Sequence, residues 1–439
     1  MIQWWFDAVR LGSYTPAVIE RRSIPRARAR MQKCILNVTH PTGQKQLLVD
    51  VSVICRDDVG TGIQRVVRSV LSHLLSCPPT GYSVRPVAAT RKQSYHYIDW
   101  YGVAPARKEG GAVFVRPGDV FLGLDLSAHI ITAHRHQLAE WKAQGASLHF
   151  IVYDLLPLHH PEWFPGKLVA AFRRWIKVVA MLADGAICIS PTVEQDLAAW
   201  FEDRYGLAIG RVPTRVIPMG WDIDSAGPSH GLPPKFAQIL PQIQRRKTAL
   251  MVGTLEPRKG HAQVLEAFEQ LWLNGKDYNL VIAGRPGWRT QALQAKLRNH
   301  PQRDQRLFWF EAASDEALLS LYRACDGVVI ASLAEGFGLP LIEAHGHGKP
   351  VLARNLPVFR DQPHGDVKYF SARDPRTLSA IVDTWLERIA ECRGAPTGRE
   401  HPPSWQHAVE CLVAVLGLKS QNLPFKDAPP EELKLLSTA

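Results

Sequence analysis

The sequence predicts an α/β protein made of two doubly wound parallel sheets that face each other across a cleft. Two observations carry this expectation. Short apolar runs alternate with amphipathic helical patterns along most of the chain, which is the signature of a parallel sheet covered on both faces. The alternation halts at a Pro- and Gly-rich stretch over 224–245 and then restarts. The length of 439 residues accommodates two domains of about 200 residues each.

The elements follow in order. LLVDVSVI, from Leu47, reads as a buried first strand. RDDVGTG is a turn-rich loop, and IQRVVRSVLSHLL places Ile63, Val66, Val67, Val70, Leu71 and Leu74 on one helical face. Further strands are expected at 119–125, 148–156, 185–190 and 214–220, with a helix over 165–183. After the linker, strands are expected at 248–254, 278–284, 306–312, 327–332 and 349–353. Helices are expected at 261–274, 289–299, 315–324 and 340–347. A last apolar helix runs from Trp405 to Leu418. The expected domains are an extension over 1–45, a first domain over 46–223, the linker, a second domain over 246–400, a helix over 401–420 crossing back to the first domain, and a tail over 421–439.

Composition narrows the class. Hydrophobic residues make up 46% and charged residues 21%, which excludes a disordered, collagen-like or coiled-coil chain. Seven scattered cysteines include no CxxC pair, so a zinc ribbon or disulfide framework is not expected and a reducing compartment is. No apolar run reaches the roughly 18 residues of a membrane-spanning helix. The net charge of +11 points to anionic partners: nucleic acid, a membrane surface or phosphorylated substrates. Nucleic acid is disfavoured, because no known motif is present and the basic residues are spread rather than striped. RRSIPRARARMQK (21–33) follows Trp4, Trp5 and Phe6. Two readings stand: an interfacial anchor on anionic lipid, or a leader ahead of a later start at Met31.

Three strings carry the chemistry. SLAEGFGLPLIEAHGHGKP (332–350) ends a strand and opens a helix at Pro340, with Glu335 in the loop and Glu343 eight residues on. Amides at a helix N-terminus attract anions. Glu335 beside bare amides at the turn through Gly336 and Gly338 suits a polyol, since a carboxylate accepts from hydroxyls while amides donate. Both glutamates are expected to project into one crevice at the carboxyl ends of the strands. VGTLEPRKGH (252–261) brings Gly253, Arg258 and Lys259 to the same sheet edge. A forked guanidinium and an ammonium there fit phosphate oxygens. DDVGTGIQRV (57–66) sets Gly60 and Gly62 at a helix start. It is neither GxGxxG nor a Walker A loop.

Together these strings resemble the GT-B glycosyltransferase superfamily, in particular its retaining group often called family 4. The E-x7-E string of that group corresponds to Glu335 and Glu343. VIPMGWD (216–222), LVIAGRPGW (280–288) and SDEALLSLYRACDGVVIAS (314–332) fit in order, and the resemblance covers roughly Leu47 to Leu418. It implies a GT-B fold and sugar transfer from a nucleotide diphosphate sugar with retention, with no metal and no cofactor. It implies that Arg258 and Lys259 hold the diphosphate, with Gly253 and Gly62 beside it. Glu335 would contact the donor sugar and Glu343 the ribose, and the amides of Phe337, Gly338 and Leu339 would meet sugar hydroxyls or phosphate. Asp154, in HFIVYDLLPLHHPEWF (149–164), is the candidate acceptor-side base, with His159 and His160 as alternatives. Many members carry His-Asp where this chain has Tyr153-Asp154. The wording of YDLLPLHHPEWF, GTGIQRV and GTLEPRK resembles most the mannosyl- and rhamnosyltransferases of bacterial surface-polysaccharide and O-antigen assembly. The implied partners are a nucleotide sugar and a glycan or lipid-linked glycan, with an anionic inner-membrane surface as a further expectation. The implied location is cytoplasmic and peripheral. A GT-B epimerase or phosphorylase, or a silent scaffold of a polysaccharide complex, are the rival readings.

Overall fold

The structure is a computed structural model. It describes residues 44–99, 108–223, 231–233, 236–362, 365–391 and 401–420, together with Glu20, Arg21, Ile24, Pro25 and Arg28. Most of the expected extension and all of the tail over 421–439 lie outside the described residues.

The first sheet comprises β1 (Lys45–Asp50), β2 (Tyr82–Ala88), β3 (His96–Asp99), β4 (Lys108–Ala112), β5 (Val120–Gly123), β6 (Ser147–Val152), β7 (Gly185–Cys188) and β8 (Thr214–Val216). Their order is β4-β3-β2-β1-β5-β6-β7-β8. Strands β2, β1, β5, β6, β7 and β8 pair in parallel, and β3 and β4 add an antiparallel edge. Leu47, Leu48 and Val49 of β1 are fully buried because helices cover both faces of the sheet. Helix α1 (Gly62–Ser76) buries Val66, Val67, Val70, Leu71 and Leu74. It starts with a capping box, in which Thr61 accepts from the Gln64 amide and the Gln64 side chain accepts from the Thr61 amide. Helices α2 (Ala128–Ala133), α3 (Arg135–Ala143), α4 (Leu156–His159), α5 (Gly166–Leu182) and α6 (Pro191–Tyr205) complete the layers.

The second sheet comprises β9 (Lys247–Val252), β10 (Tyr278–Ala283), β11 (Leu307–Phe310), β12 (Gly327–Ile330), β13 (Val351–Arg354) and β14 (Val367–Phe370). The order is β11-β10-β9-β12-β13-β14, all parallel. Its helices are α7 (Phe236–Gln244), α8 (His261–Leu273), α9 (Gln291–Arg298), α10 (Asp315–Ala324), α11 (Leu339–Gly346), α12 (Pro357–Arg360) and α13 (Pro375–Glu391). Helix α14 (Trp405–Val415) packs against α1 of the first domain.

Three features differ from the sequence expectation. The stretch read as a linker contains α7, despite Pro241 within it. Phe236 and Ile243 are buried there, and the Phe236 ring lies 5.5 Å from that of Phe310. Strands β2, β3, β4 and β14 were not foreseen, since Pro86 in β2 and the glycines in β4 dilute the strand pattern. At Glu20, Ile24 and Arg28 the extension packs on the first domain, which neither the lipid-anchor nor the leader reading described. These residues recur every four positions, as on one helix face, and all three are buried. Glu20 pairs with Lys177 and with Arg204, the latter at 2.6 Å. Arg28 donates to the carbonyls of Arg211 and Ala180.

Candidate active site

The carboxyl ends of the two sheets face each other, and between them lies a cavity of about 340 Å³. Both domains line it. Gly60, Thr61, Gly62, Arg65 and Asp154 come from the first, and Gly253, Arg258, Lys259 and Glu335–Pro340 from the second. Open α/β sheets bind ligands at this edge.

The basic pair sits in a short 3-10 turn, Pro257–Lys259, directly after β9 and before α8. The Arg258 guanidinium donates to Glu335 Oε2 at 2.8 Å, to Glu256 Oε2 at 2.9 Å and to the Ala334 carbonyl at 3.2 Å. Lys259 Nζ donates to Glu335 Oε1 at 2.5 Å, and the Ser332 hydroxyl donates to the same oxygen at 2.7 Å. Burial opposes ionisation of Glu335. Lys259 and Arg258 outweigh it and hold the carboxyl at about 2. Burial also opposes the charge on Arg258, but Glu335, Glu256 and Asp154 raise its pKa further. Glu335 and Arg258 are therefore both charged at neutral pH. The cluster sets two basic side chains, Arg258 and Lys259, against two acidic ones, Glu335 and Glu256.

The loop after β12 turns through Gly338, whose φ of 95° is left-handed. A side chain there would also strike the Phe359 ring, 2.4 Å from the position of a Cβ. Gly338 caps α11, whose first residues, Leu339 and Pro340, reach the cavity. Gly336 is pressed against the first domain. A Cβ there would lie 2.0 Å from the Tyr153 carbonyl oxygen and 2.9 Å from Asp154 Cβ. The Gly336 carbonyl accepts from the Ser190 hydroxyl at 2.7 Å. The Phe337 carbonyl accepts from Gln362. On the facing wall, Gly62 begins α1, and a Cβ on it would meet Leu339 Cδ1 at 3.6 Å. Gly253 lies at φ 140° beside the Lys259 side chain.

Asp154 is brought to the basic cluster. Burial pushes its carboxyl above the ordinary range, Arg258 opposes that, and the Leu156 amide donates to it at 3.0 Å. Tyr153, in the position where His is common, donates its hydroxyl to the Leu124 carbonyl at 2.7 Å and belongs to the first-domain core. His159 and His160 do not line the cavity. His159 lies edge-on to Trp200, and His160 stacks on Trp163 with centroids 4.0 Å apart.

Glu343 departs from the expectation that both glutamates face one crevice. It is 1% exposed and does not line the cavity. Arg65 of the first domain binds one of its oxygens, and the Tyr322 hydroxyl donates to the other at 2.7 Å. Arg65 also faces Asp315 at 3.6 Å, and Arg68 bonds the same carboxylate at 3.1 Å. The sequence reading missed Arg65 as a site residue. It lies one turn after Gly62, so its place on the cleft face of α1 was available from helical spacing. Glu256, Tyr322 and Trp288 were also missed as site residues, although each lies within one of the strings above.

Two doubly wound domains, with a charged cavity between their strand ends, define the GT-B class. Solved structures agree on the fold. Sucrose-phosphate synthase from Thermosynechococcus elongatus superposes with a TM-score of 0.59 at 16% identity, covering 85% of this chain and 98% of that one. HepE from Anabaena, in complex with UDP and glucose, gives 0.57 at 16% identity, covering 85% and 100%. Residues 234–389 match the family described as Glycosyl transferases group 1, and the chain carries a domain of that family. Over 385 residues, 87% of the chain, it is 41% identical to the serotype-specific mannosyltransferase WbdA of Escherichia coli, covering 46% of that protein. It is 31% identical over 191 residues, 40% of the chain, to the O-antigen chain mannosyltransferase B of Escherichia coli, covering 48% of it. The chain spans about half the length of these curated relatives.

Proposed function

We propose that the chain is a retaining hexosyltransferase that moves mannose from a nucleotide diphosphate sugar, GDP-mannose first among donors, to a glycan or lipid-linked glycan acceptor in surface-polysaccharide synthesis. The observation that carries this reading is the Arg258–Glu335–Lys259 cluster on the cavity, set beside the N-terminus of α11. The likeness to WbdA supports mannose over rhamnose.

In this reading the diphosphate lies against Arg258, Lys259 and the amides near Gly338. As the bond from the anomeric carbon to the phosphate oxygen breaks, negative charge grows on the leaving diphosphate. The two fixed cations stabilise it without having to reorganise. Positive charge grows on the sugar ring, and Glu335, held ionised, faces it. The acceptor oxygen attacks from the side the diphosphate leaves. Its proton passes to the leaving phosphate, and Asp154 orients the hydroxyl. No metal and no cofactor take part in these steps. The two domains hold donor and acceptor in register and exclude water. No helix among the described residues is long and apolar enough to cross a membrane. With a net charge of +11, the protein works in the cytoplasm as a peripheral enzyme on an anionic membrane face.

The test is thermal shift and transfer against GDP-mannose, GDP-rhamnose, UDP-glucose, UDP-GlcNAc and dTDP-rhamnose, with EDTA present. Selective stabilisation by GDP-mannose, lost in Arg258→Ala, supports the reading. Stabilisation by another donor alone replaces mannose. Activity abolished by EDTA and restored by a divalent cation refutes metal independence. A β-linked product from GDP-mannose, whose mannose is α-linked to the diphosphate, refutes retention. Equal partitioning onto neutral and anionic vesicles refutes membrane association.

A further inference from the structure

The loop after β10 is held by two close approaches. A Cβ on Gly284 would lie 1.8 Å from the Gly253 carbonyl oxygen, and one on Gly287 would lie 2.2 Å from that of Leu255. The Leu255 amide donates to the Arg285 carbonyl at 2.9 Å, and Leu255 bridges to Pro286. This loop therefore lies directly on the segment that leads to the basic pair. Its tip crosses the cleft. Trp288 Nε1–H donates to the Trp163 carbonyl at 2.8 Å, and the indole lies 5.9 Å from the Phe164 ring. Arg289, in a left-handed conformation at φ 57°, donates to the Glu162 carbonyl. A non-glycine residue held there marks a place where surrounding contacts outweigh backbone preference.

The Trp288 ring also lines the cavity. Its only polar atom is already committed, so what it presents there is an apolar aromatic surface. Phe164, Leu168 and Pro157 line the cavity too, and all belong with Asp154 to one first-domain segment. The phosphate-binding groups belong instead to the second domain. An apolar wall with one carboxylate at its edge suits a pyranose, which has a C–H face and a rim of hydroxyls.

We propose that Trp288 is an acceptor-binding residue, supplied by the donor-side domain, on which the terminal pyranose of the acceptor lies with a hydroxyl directed to Asp154. The inference rests on the sugar-transfer reading above. It adds that the acceptor subsite is composite. The wall exists only while the Trp288 loop is seated in the first domain, so the acceptor binds the closed protein.

Saturation-transfer NMR with methyl α-mannopyranoside and methyl α-glucopyranoside tests this on the full chain in the presence of GDP. Trp288→Leu is expected to weaken pyranoside binding about tenfold, while Trp288→Phe and Trp288→Tyr retain most of it. Thermal stabilisation by GDP is expected to persist in all three, which shows that they are folded with an intact donor side. The inference is overturned if Trp288→Leu binds the pyranosides as wild type does. It is also overturned if the two ring-retaining variants lose them while GDP still stabilises, or if neither pyranoside contacts the wild type. Stabilisation of the wild type by a different nucleoside diphosphate but not by GDP refutes the mannosyl donor alone, and the pyranoside comparison with that nucleotide still decides the role of Trp288.

Discussion

Arg65, on the first helix of the first domain, and Glu343, inside the helix that follows the EGFG loop, form a buried ion pair across the cleft. Tyr322 satisfies the second carboxylate oxygen. Burial opposes the charge on Arg65, but Glu343 and Asp315 outweigh it. Truncating one partner leaves the other buried and uncompensated. Arg65→Ala is expected to cost about 3–5 kcal/mol of stability, whereas the double variant Arg65→Met with Glu343→Met recovers much of that loss. Urea unfolding of wild type, Arg65→Met, Glu343→Met and the double variant measures the coupling.

In the proposed mechanism Arg258 places its guanidinium where leaving-group charge develops. Arg258→Ala is expected to lower turnover by about 10²–10³. Arg258→Lys is expected to keep part of it, because the charge remains and the fork to Glu335 and Glu256 is lost. Steady-state transfer from GDP-mannose checks both. Equal activity in wild type and Arg258→Ala would remove Arg258 from the mechanism.

Glu335 gives a signed pH dependence. Its folded-state pKa, about 2, is below the ordinary value of 4.5. A depressed carboxyl contributes stability above its unfolded pKa and loses it as pH falls through the folded one. The advantage of wild type over Glu335→Gln is thus expected to be constant above pH 4.5 and to shrink between pH 4.5 and 2. Denaturant midpoints of the two proteins across that range measure it. A gap that widens on acidification contradicts the assignment.

Gly336 controls the approach of the two domains. A methyl group there has no room beside the Tyr153 carbonyl, so Gly336→Ala must push the EGFG loop away from Asp154. Each domain keeps its own core, but kcat/KM is expected to fall about a hundredfold, as for an ångström of misplacement at a reacting centre. Small-angle scattering should show a larger radius of gyration. An active variant with wild-type dimensions would show that the loop yields instead.

Much of the fold was legible because the strands that carry the site are short, apolar and buried on both faces. GVVI, YNLVIA and GAIC each announce a parallel strand, and Asp315–Ala324 matches its expected helix because Ser314 caps it. The edges were less legible. Strand β2 contains Pro86, and α7 contains Pro241, so local rules argue against elements that tertiary packing supplies. At the site, Glu335, Arg258, Lys259 and the glycines lie on single loops with recognisable strings. Arg65 and Trp288 also fall within such strings, DDVGTGIQRV and LVIAGRPGW, but what makes them site residues is not local. Their partners are Glu343, 278 positions away, and Trp163, 125 positions away, and no local pattern encodes such a pairing. The same pairing explains the misreading of Glu343 as a residue open to the crevice.

Helix α14 has a consequence for synthesis. The Trp405 side chain is buried against Gly220, its amide donates to Asp222 at 2.8 Å, and the Trp221 amide donates to the Pro403 carbonyl at 3.2 Å. Farther on, the Thr80 amide donates to the Lys419 carbonyl at 2.7 Å. The first half of the chain leaves the ribosome well before these residues do. Until they emerge, the flank of α1 stays uncovered and apolar, and the second sheet is translated inside that interval. The half made first therefore waits for α14 to complete its surface, and emergence of residues 401–420, rather than completion of either sheet, sets the moment at which the cleft acquires its working shape.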